Sequence, residues 1–333
     1  MKRSVLVVGG AGYIGSHMVR LLIDSGHEVV VLDNLSQGHR AAIGDAELVV
    51  GDLMNTADLA AVFAGRRIDA VIHFAALIAV GESVVDPGAY YRNNVTGTLN
   101  LLDAMRNAGV DKLVFSSTAA VFGNPRTERL SEDHPLAPIN PYGWSKRMIE
   151  QVLADMARAW GLNSVALRYF NAAGAHRSGQ IGEAHTPETH LIPVVLLAAL
   201  GLRNGLQLFG DDYDTPDGTC VRDYVHVCDL AMAHLKALEF MHRAPGAHAF
   251  NLGNGSGFSN REVVKVARSV TGRPIPVEIV PRRQGDPARL VADGRRARDI
   301  LGWRPEYPEL GSIIESAWAW HQSPLYGPFA SPS

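Results

Sequence analysis

The chain has 333 residues, of which 47% are hydrophobic and 20% are charged, and its formal net charge is −3. This is the composition of a globular protein, and at roughly 100–200 residues per domain the length suggests about two domains. The near-neutral charge argues against a nucleic-acid-binding protein, which usually carries a basic surplus. The 2 cysteines, Cys220 and Cys228, exclude a disulfide framework and favour a reducing compartment.

The chain shows no targeting or membrane segment. The apolar stretch after the basic start ends at Gly9, which is too short for the core of a signal peptide. The longest later apolar run, residues 191–202, is interrupted by Pro193 and is far below the length that spans a membrane. We therefore expect a cytoplasmic protein without membrane contact.

Short apolar runs alternate with amphipathic stretches through the first half of the chain. We predict strands at 4–8, 28–32, 48–50, 70–74, 113–116 and 164–169, and helices at 12–25, 56–63, 87–107 and 141–160. Strands that are apolar on both faces and alternate with helices are typical of a parallel, doubly wound sheet. The predicted fold class is therefore α/β.

The pattern changes after residue 171. A loop rich in Gly, His and Pro is followed by predicted helices at 191–201, 229–241, 259–270 and 309–320 and by short strands at 206–209, 220–226 and 249–252. We predict a cofactor domain over residues 1–171 and a smaller α/β substrate domain over residues 172–333. Segments around 220–245 could return to the first domain. We expect the Pro-rich tail from residue 323 to be loosely held.

A glycine triplet, Gly9, Gly12 and Gly15, follows the first predicted strand and opens the first helix. Glycines there permit a tight turn and a close backbone approach to a pyrophosphate, which the helix N-terminus attracts. Asp33 ends the second strand, where a carboxylate accepts hydrogen bonds from ribose hydroxyls and repels a 2′-phosphate. Asp52, after the third strand, is placed to reach the adenine edge. The pattern predicts a dinucleotide site that favours NAD over NADP.

Tyr142 and Lys146 lie on one face of a predicted helix that begins at Pro141. A free tyrosine, with a pKa of about 10, is too weak a base at neutral pH. A nearby lysine, a helix N-terminus and a nicotinamide cation would all favour the phenolate. Ser116, Ser117 and Thr118 lie at the end of the fifth strand, where a hydroxyl could bind a substrate oxygen and pass a proton to Tyr142. We predict that Tyr142, Lys146 and one of these hydroxyl groups are catalytic.

The motifs in this order resemble the extended short-chain dehydrogenase/reductase family, and within it the UDP-glucose 4-epimerases. The resemblance spans about residues 4–320. Its most distinctive runs are GGAGYIGSH from Gly9, NNVTGT from Asn93, PYGWSK from Pro141, RYFNAAGA from Arg168 and VRDYVHV from Val221. It implies a Rossmann-type sheet and NAD-dependent C4 epimerisation of UDP-galactose and UDP-glucose through a 4-keto intermediate, with NAD tightly bound and regenerated in each cycle.

The resemblance implies that Thr118 supplies the catalytic hydroxyl beside Tyr142 and Lys146, and it also implies ligand contacts. For the cofactor, the implied contacts besides the glycines are Tyr13, Ile14, Asp33, Asn34, Asp52, Leu53, Phe74, Ala75, Asn93, Tyr142, Lys146 and Tyr169. For the UDP-sugar, they are Thr118, Asn171, His190, Leu191, Phe209, Arg222, Arg283, Asp286 and Leu290. Two arginines suit a diphosphate, because guanidinium groups pair with phosphate oxygens.

Five positions depart from the family pattern. Ile78 stands where well-known members have a lysine that contacts the cofactor, and His190 replaces an asparagine. Phe122 replaces a tyrosine, and Thr118 replaces a serine and adds a methyl group. Leu290 occupies a pocket position that governs sugar size, so the exact UDP-sugar stays open among hexose, N-acetylhexosamine, pentose and uronic acid.

Three other functions were weighed. A 4,6-dehydratase needs an Asp-Glu pair after Thr118, where this chain has Ala119 and Ala120. An NADPH-dependent reductase conflicts with Asp33. A non-catalytic NAD-binding regulator has no reason to keep the catalytic trio.

The remaining expectations concern metals, histidines and assembly. We expect no metal, and we interpret His73, His226 and His234 as core residues because they lie in or beside apolar segments. The family resemblance suggests a homodimer, for which the face with Tyr90, Tyr91 and the following helix is a candidate.

Overall fold

The computed structural model describes residues 2–283 and 286–330. Within these ranges the strands are β1 (Ser4–Val8), β2 (Glu28–Asp33), β3 (Glu47–Val50), β4 (Ala70–His73), β5 (Lys112–Thr118), β6 (Asn163–Tyr169), β7 (Asn171–Ala173), β8 (Leu206–Phe209), β9 (Val221–Arg222), β10 (Tyr224–His226), β11 (Ala247–Leu252), β12 (Phe258–Ser259), β13 (Val277–Val280) and β14 (Arg289–Leu290). The helices are α1 (Tyr13–Asp24), α2 (Thr56–Phe63), α3 (Val80–Val85), α4 (Pro87–Tyr90), α5 (Gly97–Asn107), α6 (Pro141–Trp160), α7 (Leu191–Ala199), α8 (Val227–Phe240), α9 (Asn260–Thr271) and α10 (Leu310–Gln322).

A seven-stranded sheet forms the centre of the molecule, in the order β11-β6-β5-β4-β1-β2-β3. Every neighbouring pair in this sheet is parallel. The chain moves outward from β1 in one direction to β3 and then in the other direction from β4. This confirms the predicted doubly wound α/β sheet, and the crevice at such a reversal is where ligands bind in these folds.

Two helical layers bury the faces of the sheet. On one face α1 packs against α8, with Met18, Leu22, Leu230 and Leu238 in a shared core. On the other face α2, α5 and α6 contribute to a second core. Both faces are thus covered, which explains why the central strands are apolar throughout.

The chain returns to this sheet after its first half. Strand β11 pairs in parallel with β6, and α8 covers the sheet beside α1. A third core, formed by α7, α9, α10 and β8, lies outside the sheet and includes Val195, Leu208, Val263 and Ile313. The domain boundary at residue 171 stays a prediction.

Several short elements differ from the sequence prediction. The predicted helix 87–107 consists of α4, a π-helical turn over Tyr91–Thr96, and α5. The predicted strand 220–226 divides at Asp223, whose buried carboxylate accepts the N–H groups of Asn254, Gly255 and Ala292. Helix α3 and strands β12, β13 and β14 were not predicted.

Two expectations about aromatic residues were wrong. Tyr326, in the tail that we expected to be loose, is buried, and its hydroxyl donates to the carbonyl oxygen of Gly182, 3.1 Å away. Tyr90 is fully buried within the chain and donates to the carbonyl oxygen of Ala79, so its ring is not available to a partner.

The three histidines that we interpreted as core residues are buried and hydrogen-bonded. Nε2 of His73 lies 2.9 Å from Oγ1 of Thr98, and Nε2 of His226 lies 3.0 Å from Oγ of Ser316. His234 donates through Nδ1 to a backbone carbonyl of α8. Among the described residues, every helix is too short or too polar to cross a membrane.

Candidate active site

The glycine loop closes tightly on its neighbours. Gly9 has φ +76°, and a Cβ there would lie 2.5 Å from the backbone nitrogen of Ala75. A Cβ on Gly15 would lie 2.1 Å from the carbonyl oxygen of Gly9. Gly12 precedes α1 and has no side chain to cap it, so the first-turn N–H groups of Tyr13 and Ile14 are placed for phosphate oxygens. The loop therefore fits a dinucleotide pyrophosphate.

Asp33 is buried and anchors this loop. One carboxylate oxygen accepts the N–H of Ala11 at 2.9 Å, and the other accepts the N–H of Leu35 at 2.8 Å. Burial raises the pKa of Asp33, and these two hydrogen bonds partly offset the rise. The carboxylate thus holds the glycine loop in place. It is also the group predicted from the sequence to accept hydrogen bonds from the adenosine ribose.

Asn34, Asp52 and Leu53 are the residues predicted to contact the adenosine of the cofactor. Asn34 donates to the carboxylate of Asp52 at 2.8 Å, directly beyond β2 and β3. Leu53 is buried next to Gly97, where a Cβ would lie 3.0 Å from that of Leu53. The structure therefore brings these three predicted contacts together.

Residues after β4 extend the cofactor cleft. The N–H groups of Phe74 and Ala75 donate to the carbonyl oxygen of Val8 at 2.8 and 3.2 Å, which holds this segment beside the glycine loop. Asn93 donates to the side chain of Asn94 at 2.9 Å. Phe74 and Ala75, which were predicted to contact the cofactor, thus lie at the edge of the sheet where β1 and β4 end.

Sequence reasoning missed Asn94. This buried residue exchanges two hydrogen bonds with the backbone of Leu77, at 2.8 and 3.0 Å, and donates to Oγ of Ser145 at 3.0 Å. Ser145 in turn donates to the carbonyl oxygen of Tyr142. The π-helical turn places Asn94 there, and such turns are frequent at functional sites. The NNVTGT run was the available signal.

Lys146 lies inside the fold, one turn of α6 beyond Tyr142. Its ammonium donates to the carbonyl oxygen of Ser116 at 2.9 Å and lies 4.9 Å from the ring centre of Phe115. Asn140 caps α6 by accepting the N–H of Gly143, which fixes the first turn of the helix. The helix thus directs Lys146 at the carboxyl end of β5.

Thr118 and Tyr169 lie side by side across β5 and β6, because the register pairs these two residues. The hydroxyls of Ser116 and Tyr169 are hydrogen-bonded to each other. Burial raises the pKa of Tyr142, and a hydrogen bond with Thr118 offsets part of that rise. The three predicted catalytic residues therefore converge at one end of the sheet, next to the glycine loop.

Burial shifts the pKa values of both Tyr142 and Lys146. It raises the pKa of Tyr142 above its ordinary value, and it lowers the pKa of Lys146 to about 7. We expected Lys146 to favour the phenolate of Tyr142, and burial opposes this. A positive charge close to the phenol, such as a nicotinamide cation, would favour the phenolate.

A second group of predicted residues lies where β9 and β14 pair. Arg283 forms a two-pronged ion pair with Asp286 at 3.0 and 3.1 Å, and its guanidinium lies 5.5 Å from the ring centre of Phe209. Arg222 lies 3.6 Å from the same carboxylate. Leu290 is paired with Arg222 in the strand register. Two cations, one carboxylate and one exposed ring thus form a single patch.

The last three predicted sugar contacts are Asn171, His190 and Leu191. Asn171 begins β7 and donates through its side chain to the carbonyl oxygen of Asp223 at 2.9 Å. Leu191 begins α7, directly after His190. The ring of His190 faces Glu183, with Nδ1 2.7 Å from the nearer carboxylate oxygen. Its side chain therefore belongs to a cluster of carboxylates and histidines.

Comparison with known proteins decides the family. Residues 5–253 match the NAD dependent epimerase/dehydratase family. The chain belongs to this family. It is 52% identical to UDP-glucose 4-epimerase of Halalkalibacterium halodurans over 324 residues, which is 97% of each chain.

Two solved structures of relatives have the same fold. UDP-glucose 4-epimerase of Brucella ovis in complex with NAD is 50% identical, with a TM-score of 0.92 over 95% of this chain and 97% of that one. UDP-glucose 4-epimerase of Bifidobacterium longum in complex with NAD+ and UDP is 41% identical, with a TM-score of 0.92 over 96% of this chain and 98% of that one. The family resemblance predicted from the sequence is confirmed.

Proposed function

We propose that this enzyme of the NAD dependent epimerase/dehydratase family interconverts UDP-glucose and UDP-galactose by C4 epimerisation, with NAD as its resident cofactor. The relatives confirm the predicted activity and cofactor. The observation that carries the proposal is the convergence of Thr118, Tyr142 and Lys146 beside the glycine loop, in a chain about half identical to UDP-glucose 4-epimerases along almost its whole length.

The residues present fit NAD. The N-terminus of α1 and the close-packed glycines accommodate a pyrophosphate, and Asp33 and Asp52 supply acceptors for the adenosine. When bound, NAD would supply the hydride acceptor for C4 of the sugar and the donor that restores it. Lys146 would hold the nicotinamide ribose, and Tyr169 would line the adjoining wall.

We assign proton transfer to Tyr142. As a phenolate, its oxygen takes the proton of the sugar 4-hydroxyl and becomes a phenol while C4 loses hydride to the cofactor. After the 4-keto sugar has turned over, the phenol returns the proton to the 4-oxygen as hydride returns to the opposite face of C4. Thr118 binds the 4-oxygen and positions it against Tyr142. The sugar stays attached to UDP throughout.

The UDP moiety is held at the second group of residues. Arg222 and Arg283 pair with the diphosphate, because guanidinium forks match phosphate oxygens. Asp286 accepts a hydrogen bond from the uridine ribose, and Phe209 packs against the uracil. The ion pairs among Arg222, Arg283 and Asp286 support this assignment, since they already hold both cations at one place.

A panel of UDP-sugars tests the function. UDP-galactose, UDP-N-acetylgalactosamine, UDP-xylose and UDP-glucuronate are incubated separately with the purified enzyme without added cofactor, and products are separated by anion-exchange chromatography. We expect UDP-glucose from UDP-galactose, and NAD released on denaturation. Absence of any 4-epimer, or a requirement for reduced NADP, contradicts the proposal.

We also propose a homodimer, formed through a face that does not include the buried ring of Tyr90. Helices α3 and α6 pack together, and both expose apolar side chains, namely Val84 and Val85 on α3 and Trp144 and Met148 on α6. Such a surface on a protein of this size favours a partner. Val85→Glu should shift the sedimentation coefficient from that of a dimer to that of a monomer. A cytoplasmic compartment stays a prediction, supported by the free cysteines.

A further inference from the structure

Four side chains on the loop that leads into α7 converge on one point. Glu183, His185, Glu188 and His190, here termed the Glu/His cluster, each offer a carboxylate oxygen or ring nitrogen, and these atoms all lie within 4.8 Å of one another. The four residues lie within the eight-residue segment 183–190, whose sequence is EAHTPETH. None of them belongs to the catalytic trio.

The arrangement is centred on Glu183. Nδ1 of His190 lies 2.7 Å from Oε1 of Glu183, and Nδ1 of His185 lies 3.1 Å from the same oxygen. Glu188 approaches both rings, at 3.7 Å from Nδ1 of His185 and 3.4 Å from Nδ1 of His190. Oε1 of Glu188 already accepts two backbone N–H groups, which leaves Oε2 facing the centre.

Hydrogen bonds do not account for this convergence. Among the described residues, Oε1 of Glu183 and Nδ1 of His185 have no hydrogen-bond partner, although both atoms are buried. The side chain of Glu183 is only 3% exposed. A buried carboxylate oxygen without a donor is costly. The two histidine nitrogens lie within ion-pair distance of this oxygen, but neither forms a well-aligned hydrogen bond with it.

A divalent cation at the centre resolves this. In a tetrahedral zinc site with bonds of about 2.0–2.2 Å, neighbouring ligand atoms are separated by about 3.4 Å. The four histidine–carboxylate distances, from 2.7 to 3.7 Å, bracket this value, and all the candidate ligand atoms lie within 4.8 Å of one another. Two imidazoles and two carboxylates suit zinc, whereas calcium and magnesium prefer six or more oxygens.

The surroundings of the cluster indicate what a cation would do. Trp320 of α10 donates to the carbonyl oxygen of Glu183 at 2.9 Å, and the ring of Tyr13 packs edge-on against His185 with centres 6.2 Å apart. Tyr13 also donates to the carbonyl oxygen of Gly174 at 2.6 Å. The cluster thus lies between the first turn of the cofactor helix and the C-terminal helix.

We propose that Glu183, His185, Glu188 and His190 bind one Zn²⁺ in a closed structural site. The ion cross-links the loop before α7, and so fixes both the contact with Tyr13 and the backbone at Leu191. All four positions are filled by protein ligands, as in structural rather than catalytic zinc sites. This replaces our sequence expectation that the chain binds no metal, and it stands independently of the proposed function.

Metal content is the first test. The untagged protein is unfolded and stripped of metal, refolded with one equivalent of ZnCl₂, passed through a desalting column and analysed by inductively coupled plasma mass spectrometry. We expect stoichiometric zinc in the wild type and loss of most of it in Glu183→Gln and His185→Asn. His176→Gln changes a histidine of the same loop outside the cluster and should retain zinc.

Thermal unfolding is the second test, and its main measurement is made on the wild-type protein. A chelator should lower the Tm of the native wild-type protein by several degrees, and ZnCl₂ should restore it where MgCl₂ does not. His185→Asn should be insensitive to both additions. A wild-type protein that holds no stoichiometric zinc after reconstitution, with a Tm that chelator leaves unchanged, overturns the proposal.

Discussion

Arg168 and Glu150 form a buried, two-pronged ion pair that joins β6 to the helix carrying Tyr142. Two guanidinium nitrogens of Arg168 each lie 2.8 Å from a different carboxylate oxygen of Glu150, and both side chains are 6% exposed. Ser117 adds a hydrogen bond to the same carboxylate at 2.6 Å. The pair therefore fixes α6 against the ends of β5 and β6, where the predicted catalytic residues lie.

Glu150→Gln should destabilise the protein by about 3–5 kcal/mol, because it leaves the charge of Arg168 buried without a partner. Asp24→Asn is the matched control, since it breaks an exposed pair with Arg20 and should cost about 1 kcal/mol or less. Urea unfolding followed by circular dichroism measures both. Equal losses in the two variants would show that burial does not govern the contribution of the pair.

Tyr142→Phe should lower kcat for UDP-galactose by about 10²–10⁴-fold, because it removes the positioned acid/base. Bound NAD, measured by absorbance after denaturation, should stay at the wild-type level. Tyr307→Phe removes a phenol that lies outside the proposed site and should change neither quantity. A Tyr142→Phe enzyme with near-wild-type kcat would rule out the assigned role.

Leu290 should influence which sugar is accepted. It packs beside the Ala119–Phe122 turn that follows Thr118, and it is paired with Arg222. Leu290→Ser should raise the ratio of kcat/KM for UDP-N-acetylgalactosamine to that for UDP-galactose, and Leu290→Tyr should lower it. A change of one or two methylenes is worth about 1–3 kcal/mol, so the shift should be graded. If the serine variant shows no gain, this position does not limit sugar size.

Stability should fall in acid partly through His234. Burial lowers its pKa to about 4, whereas the unfolded chain has a value near 6.5. The unfolded state therefore binds the extra proton first, and stability present above pH 6.5 is lost as the pH falls toward 4. His234→Leu should flatten the dependence of unfolding free energy on pH in this window, by up to about 1.4 kcal/mol per pH unit. Parallel curves for wild type and variant would exclude this contribution.

Features that depend on local geometry could be predicted from the sequence. The glycine loop followed directly from Gly9, Gly12 and Gly15 between a strand and a helix, because only close-packed glycines permit that turn. The spacing of Tyr142 and Lys146 placed them on one helix face, and alternating apolar runs predicted the parallel sheet. These patterns have periods of a few residues, so the chain carries them without reference to distant contacts.

Features that depend on distant pairing were decided by the tertiary structure. Strand β11 joins β6 across some eighty residues of chain, and Asp223 interrupts a predicted strand because three distant N–H groups converge on its carboxylate. Burial of Tyr326 depends on Gly182, which lies 144 positions away. The residues of the Glu/His cluster lie within eight positions in the sequence. Only the folded loop, which contacts Tyr13 and Trp320, brings their four side chains together. Local spacing fixes which residues can share a face, whereas burial against remote segments determines where that face lies.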